Sequence, residues 1–285
     1  MKIVRNYFPG SEWVYFKIYL GVSTSDDILL NLVSPIMKKA MRKSWIDKWF
    51  FIRYSDPDYH IRLRFHLTDL SKIGDLIVEI YRKSKKYIDN HLIYRISIDT
   101  YQREIERYGE RQMEMSESLF FVDSVFVCNL IPALSDMPDE CRWEIALYSI
   151  DAFLSVLGQS YEQKYTLMKR LSAGYKKEFG FNEHNSKALN SLYRDNRKLI
   201  ERAVSGIFMQ DNFDSFKKLV RKRDYELSKY VSVNANATAL DIPSCLHMMM
   251  NRLFQTSNRE MELVLYSFLT HEYDSIIHRV KNQKT

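Results

Sequence analysis

Residues 60–67, His-Ile-Arg-Leu-Arg-Phe-His-Leu, alternate without a fault. Ile61, Leu63, Phe65 and Leu67 point one way; His60, Arg62, Arg64 and His66 point the other. A period of two marks a β-strand with one apolar and one polar face. Upstream, "WVYFKIYL" (13–20) and "WFFIRY" (49–54) are rich in aromatic and β-branched residues and predict two further strands. "SDPDY" (55–59) is a turn, so 49–67 reads as a hairpin. Two segments follow the helical period instead. Residues 24–44 open with capping residues and space Ile28, Leu29, Leu32, Val33, Ile36, Met37 and Met41 on one face. Pro35 falls inside that pattern and should kink or divide the helix. Residues 69–88 repeat Leu70, Ile73, Leu76, Ile77 and Ile80. "LIYRISIDTY" (92–101) predicts a fourth strand.

The order is β-α-β-β-α-β, a ferredoxin-like arrangement with an antiparallel sheet and both helices on one face. The apolar side of 60–67 then meets the helices. The side with Arg62 and Arg64 is left to water or to the rest of the chain. Beyond residue 110 the pattern is mostly helical, with helices over 113–130, 139–158, 161–175, 186–204 and 211–230. A loop is expected at 232–244. Ser244 then caps a final helix from about Cys245 through "HMMMNRLFQTSNREMELVLYSFL". The fold class is α+β: a ferredoxin-like sheet packed against a mostly helical C-terminal half. One domain spans 1–285, with a sheet subregion (1–110) and a helical subregion (111–285).

With 285 residues and 46% hydrophobic composition, the chain can bury a real core. The formal charge of +6 suits an anionic partner or simply a solvated surface. Cys128, Cys141 and Cys245 are odd in number and widely spaced, which speaks for buried thiols in a reducing compartment. "MKIVRNYFPGSEW" has no signal-peptide core. By this reading no apolar run approaches the ~20 residues that span a bilayer. A cytoplasmic location is expected.

Three segments carry chemistry. Arg62 and Arg64 on one strand face become partly buried if a helical segment packs there, and a buried guanidinium needs an anion. Two such forks suit a carboxylate or a developing oxyanion. The alternative is a solvated sheet face. "YQREIERYGE" (101–110) brings Arg103 and Arg107 to the point where the chain leaves the sheet; as ordinary helix surface it would pair its charges at i,i+3 or i,i+4. In "PSCLHMMMNRLF" (243–254), His247 and Asn251 share a helix face. His247 is either a satisfied core histidine or, near arginines, a largely neutral proton carrier. "HEYDSIIH" (271–278) has the wrong spacing for a zinc helix, and no Walker A, GxGxxG or GxSxG motif is present. The basic run "KKLVRKRDY" (217–225) reads as a solvated helix face.

"FFIRYSDPDYHIRLRF", "YQREIERYG" with "MEMSESLFFVDS", and "SCLHMMMNRL" in this order resemble the C-terminal portion of class I lantibiotic dehydratases. The same domain stands alone in thiopeptide-type bacteriocin pathways. The resemblance runs from about residue 12 to 275; one departure is Glu110, where the family usually has a second glycine. It implies a lyase that eliminates glutamate from glutamylated Ser or Thr of a precursor peptide, giving dehydroalanine or dehydrobutyrine. It further implies that Arg62, Arg64, Arg103 and His247 are catalytic. Arg62 and Arg64 would bind the glutamyl group and stabilise the oxyanion, Arg103 would orient glutamate, and His247 would serve as general acid or base. His60, Arg62, Arg103, Arg107 and Asn251 are the substrate-binding candidates. No metal or organic cofactor is implied. The expected partners are the precursor peptide and a separate tRNA-dependent glutamylation protein, for which the chain has no room. A homodimer is left open, and neither direct nucleic-acid binding nor a membrane is expected. The rival readings are a [4+2] cycloaddition pyridine synthase and a non-catalytic peptide-binding subunit.

Overall fold

The computed structural model describes residues 3–134, 140–207, 214–233 and 240–283. Two compact units emerge: residues 1–135 with 234–256, and residues 136–233 with 257–285. The first unit carries all the strands. In chain order they are β1 (Asn6–Tyr7), β2 (Trp13–Leu20), β3 (Ile46–Tyr54), β4 (His60–Leu67), β5 (Ile93–Asp99) and β6 (Tyr101–Gln102). Its helices are α1 (Ser25–Ile28), α2 (Ser34–Arg42), α3 (Ile73–Asp89), α4 (Ile105–Tyr108), α5 (Met113–Leu134) and α10 (Ile242–Leu253). The second unit is helical: α6 (Glu140–Val156), α7 (Tyr161–Glu178), α8 (Glu183–Val204), α9 (Asp214–Val233) and α11 (Asn258–Asn282). The fold is α+β, mostly helical, with a small antiparallel sheet near the N-terminus. The units do not divide at 110/111, where the pattern turns helical: α5 and α10 belong with the sheet.

Four strands form one sheet in the order β3-β4-β2-β5, every neighbouring pair antiparallel. Its register builds three rows across the polar face: Phe50–Arg64–Tyr15–Asp99, Ile52–Arg62–Lys17–Ser97 and Tyr54–His60–Tyr19–Arg95. The opposite face is apolar. There Trp49, opposite Phe65, lines a cavity of about 330 Å³ with Met37 and Met41 of α2. Arg53, opposite Ile61, reaches Ser25 and Asp26 of α1 at 2.6 Å each. Pro35 does divide its helix. Leu29–Val33 form a π-turn directly before α2, and Pro35 sits in the first turn of α2, where its missing N–H costs least. The strand expected over 92–101 is two, broken at Thr100; β6 pairs with β1, which the sequence pattern does not reveal.

β3 is a sheet edge, and side chains close it. Asn251 of α10 accepts from Arg53 N–H at 2.9 Å and donates to Arg53 C=O at 2.8 Å, as a neighbouring strand would. Ser124 Oγ of α5 accepts from Phe51 N–H at 3.2 Å, and Arg252 Nε donates to Phe51 C=O at 2.9 Å. Arg252 is fully buried and meets Asp123 at 3.2 Å. α5 straddles this edge. Phe120 packs on Phe50 on the polar side, while Phe121 and Val125 join Trp49 on the apolar side.

Four expectations need correction. The C-terminal helix is two helices, because Phe254 is extended and Ser257 takes a left-handed φ of 52°. Ser244 is not its cap; α10 begins at Ile242 after Asp241, and Ser244 donates to the Asp241 carboxylate. Of the loop expected at 232–244, residues 234–239 lie outside the described residues. α5 is long and apolar enough to cross a membrane by length and composition, contrary to the reading of its sequence. Within its unit, though, it is largely buried and carries Glu117 and Asp123 inside. The basic run on α9 is not wholly solvated: buried Arg223 donates to Asp224 and to Ser149 C=O.

Asn251→Ala leaves one donor and one acceptor of the β3 edge unpaired. We expect a loss of about 1–3 kcal/mol in urea unfolding and faster exchange of the Arg53 amide. Retained protection at Arg53 would contradict this account of the edge.

Candidate active site

A cavity of about 510 Å³ opens on the polar face of the sheet. Arg62 and Arg64 of β4, Tyr15 and Lys17 of β2, and Asp99 at the end of β5 line it from the sheet. Arg103, Glu104, Glu106 and Arg107 line it from the chain leaving β6, and Arg5 from the N-terminal segment. Arg5 arrives because β1 pairs with β6 and Arg103 N–H donates to Arg5 C=O at 2.8 Å. Gly109 makes the exit possible. Its φ of 79° favours glycine, and an added Cβ would lie 2.8 Å from Gln112 Oε1. Glu110 needs no such freedom, since its φ is not positive.

The charges of this cavity sort into pairs. Lys17 meets Asp99 at 2.5 Å, Arg107 meets Glu104 at 3.0 Å, and Arg5 meets Glu106. Arg103 is buried and grips Glu117 of α5 with Nε and Nη2 at 2.7 and 2.6 Å. Burial works to lower the Arg103 pKa, but Glu117 outweighs it and the net shift is upward. Tyr101 donates to the same carboxylate at 2.9 Å, and burial with Glu117 raises the phenol well above its ordinary range. Four cations are therefore matched by four carboxylates. Arg62 and Arg64 have no carboxylate partner among the described residues.

Arg64 is the more extreme. It is only 8% exposed, its Nε has no hydrogen-bond partner, and its guanidinium is enclosed by the rings of Tyr15, Tyr101 and Phe50 at 4.4, 4.8 and 5.2 Å. These rings belong to a buried cluster with Trp13, Tyr108, Met113 and Phe120, against which Met248 of α10 also packs. Burial pulls the Arg64 pKa below the usual arginine value, though a guanidinium stays charged at neutral pH. Each desolvated cation–π contact contributes about 2 kcal/mol. That offsets part of the several kcal/mol of charge burial but satisfies no N–H donor.

Arg62 stacks on Tyr54 at 3.4 Å and donates from Nε to His60 Nε2 at 3.1 Å. His60 is 1% exposed between Tyr19 and Tyr54, with Nδ1 2.8 Å from Asp58 C=O. Both ring nitrogens are committed: Nδ1–H donates to Asp58 and Nε2 accepts from Arg62. Burial lowers the His60 pKa, opposed by Asp58 and aided by Arg62, Lys17 and Arg95. His60 is a neutral support for Arg62, not a ligand-facing group.

Of the residues singled out from sequence, Arg62, Arg64, Arg103 and Arg107 come together. Asn251 is committed to the β3 edge. His247, one turn earlier on α10, is half-buried and does not line the cavity. Cys128 and Cys245 are buried thiols whose pKa values burial pushes up to about 12. Sequence reasoning missed Arg5, Lys17, Tyr15 and Glu117. A buried glutamate within "MEMSESLFF" is the one signal that could have announced a partner for Arg103.

Comparison with known proteins decides the family. The family model described as lantibiotic biosynthesis dehydratase C-term matches residues 13–273. The chain belongs to this family. It is 29% identical to the nisin biosynthesis protein NisB of Lactococcus lactis subsp. lactis, covering 94% of this chain and 26% of that protein. It is 26% identical to the subtilin biosynthesis protein SpaB of Bacillus subtilis, again covering 94% and 26%. The chain thus spans about a quarter of the length of these relatives. Among solved structures it resembles the tRNA-dependent lantibiotic dehydratase MibB of Microbispora sp. (TM-score 0.68, 20% identity, 97% of this chain and 29% of that one). It also resembles the pyridine synthase TbtD from thiomuracin biosynthesis (TM-score 0.66, 12% identity, 93% and 99%). At these identities the structural likeness concerns the fold.

Because the folded state holds His60 with a lowered pKa, the unfolded chain takes up the proton first. Stability is complete above the unfolded value of about 6.5 and falls as pH drops below it. His60→Phe keeps the ring stack and should flatten the fall in thermal stability as pH drops below about 6.5. An unaltered slope would contradict the neutral assignment.

Proposed function

We propose that this chain is a lyase that eliminates glutamate from glutamylated Ser or Thr residues of a ribosomal precursor peptide, leaving dehydroalanine or dehydrobutyrine. The observation that carries this reading is the pair of adjacent guanidiniums, Arg62 and Arg64, facing one cavity with no carboxylate partner among the described residues. Family membership supplies the chemistry in which such a pair is useful. The order and antiparallel pairing of the four strands support a ferredoxin-like description of the sheet.

In the reaction a base takes the Cα proton, the electron pair becomes the Cα=Cβ bond, and the Cβ–O bond breaks. Glutamate leaves with both ester oxygens as a carboxylate. Negative charge grows first on the amide oxygen next to Cα and then on the departing carboxylate. Arg64, preorganised by three rings and excluded from bulk water, suits the growing oxyanion. Arg62, held by His60 and Tyr54, suits the glutamyl carboxylate. Arg103, held in place by Glu117, orients the glutamate from the wall of the cavity; Arg107 sits at the rim beside Glu104. The proton transfer falls to His247 by family resemblance, and Met248 beside it touches the ring cluster that encloses Arg64. The step calls for no metal or organic cofactor. The partners are a precursor peptide and a separate tRNA-dependent glutamylation protein, in the cytoplasm; a homodimer fits the same scheme.

A second reading, a [4+2] pyridine synthase, has one observation in its favour: this chain covers 99% of the pyridine synthase TbtD at a TM-score of 0.66. Two arginines with no carboxylate partner among the described residues favour elimination, because a glutamyl group supplies the anions they lack.

Mass spectrometry of a chemically glutamylated Ser/Thr peptide incubated with the protein tests this. Free glutamate and a peptide one water lighter than the unmodified parent are expected. Arg64→Ala should slow the step by about 10²–10³-fold, the usual effect of removing one oxyanion donor. Undiminished elimination by that variant would refute the role of Arg64. No turnover by the wild type, together with ring formation from a bis-dehydroalanine peptide, would favour the second reading.

A further inference from the structure

The two edges of the sheet are treated differently. On β3, Ser124, Asn251 and Arg252 satisfy the outward backbone groups of Phe51 and Arg53. β5, the other edge, pairs only with β2 among the described strands. An open edge carries a row of free N–H and C=O groups and is a template for a further strand. Proteins usually guard such an edge with charges that project across it. Here both charged side chains of β5 turn back onto the sheet. Arg95 lies over the Tyr19 ring at 3.6 Å, and Asp99 binds Lys17 at 2.5 Å. What remains beside the edge is apolar: Tyr94 is 59% exposed and Ile98 38%.

The edge also leads somewhere. Asp99 and Thr100, at its C-terminal end, line the cavity that holds Arg62 and Arg64. The row Asp99–Tyr15–Arg64 places the last residue of β5 two strands from the buried guanidinium. Seven residues at about 3.3 Å each offer an edge on the order of 20 Å long that ends at the cavity mouth.

We propose that β5 is the docking edge for the substrate peptide, which adds as an extended strand and thereby delivers its modified residue into the arginine cavity. This deepens the elimination reading and rests on it. Main-chain pairing recognises an extended peptide without demanding a particular sequence, and the exposed Tyr94 and Ile98 offer contacts for alternate side chains. A peptide paired along β5 reaches Asp99 and Thr100, the two residues at this end of the edge that line the cavity. The occupant is an extended, uncharged-backbone segment of the substrate itself.

The test alters the peptide and leaves the protein intact. A glutamylated Ser peptide is compared with versions N-methylated at alternate residues on either side of the modified Ser. Removing the paired N–H groups should raise KM about tenfold or more with kcat little changed, for one phase of alternation and on one side only. Hydrogen exchange with the unmethylated peptide bound should show new protection within residues 93–99. Turnover with no effect of any methylation and no protection of β5 would overturn strand addition and leave elimination standing. Protection of β5 without turnover would leave strand addition standing and remove elimination. Concentration-dependent protection of β5 in the absence of peptide would assign the edge to a second copy of the chain and overturn the proposal.

Discussion

A buried guanidinium with no anion among the described residues is the constraint on which the first unit turns. Arg64 is 8% exposed among three aromatic rings, and one of its donors has no acceptor. Nothing about a β-strand requires that. A leucine or serine at the same row would pack without the charge-burial cost of several kcal/mol. The surrounding aromatic cluster, from Trp13 to Phe120, keeps the charge in place and dry. Dryness is what makes the charge valuable, because an anion meeting Arg64 there is screened far less than in water.

Around that charge the neighbouring cations have been neutralised one at a time. Arg103 is tied by Glu117, Lys17 by Asp99, Arg107 by Glu104 and Arg5 by Glu106. The cavity is therefore not a generally basic patch that would collect any polyanion. Its uncompensated charge is confined to two side chains one row apart on β4. Arg62 in turn depends on a neutral His60, so a histidine that looked like a ligand on the strand pattern acts through an arginine.

Much of the first hundred residues is legible from periodicity alone. β4 begins and ends where its alternation does, and the two-faced pattern correctly separates the apolar side from the side of the site. Pro35 announced the break in its helix. What the pattern could not show is long-range pairing of short segments. β1 and β6 are two residues each, too short for any period, yet they bring Arg5 to the cavity. The hydrogen bonds from Asn251 and Arg252 to β3 join residues about two hundred positions apart. That is why Asn251 read as a site candidate and not as a strand-edge cap. Arg103 appeared as a free cation for the same reason, since its partner Glu117 sits on a helix whose apolar run hid it. The continuous helix expected from about Cys245 through Leu269 fails at Phe254–Ser257, where backbone conformation overrides a pattern that continues across the break.

The most direct measurement of the central claim is the NMR signal of the arginine Nε–H groups in ¹⁵N-arginine-labelled protein, titrated with a glutamylated Ser peptide. The account predicts that the Arg64 Nε–H resonance, and with it that of Arg62, shifts and exchanges more slowly with water as the anion fills the cavity, while Arg103 stays on Glu117 and hardly moves. A titration in which Arg103 responds and Arg64 does not would contradict it, and would place the anion on the other side of the cavity.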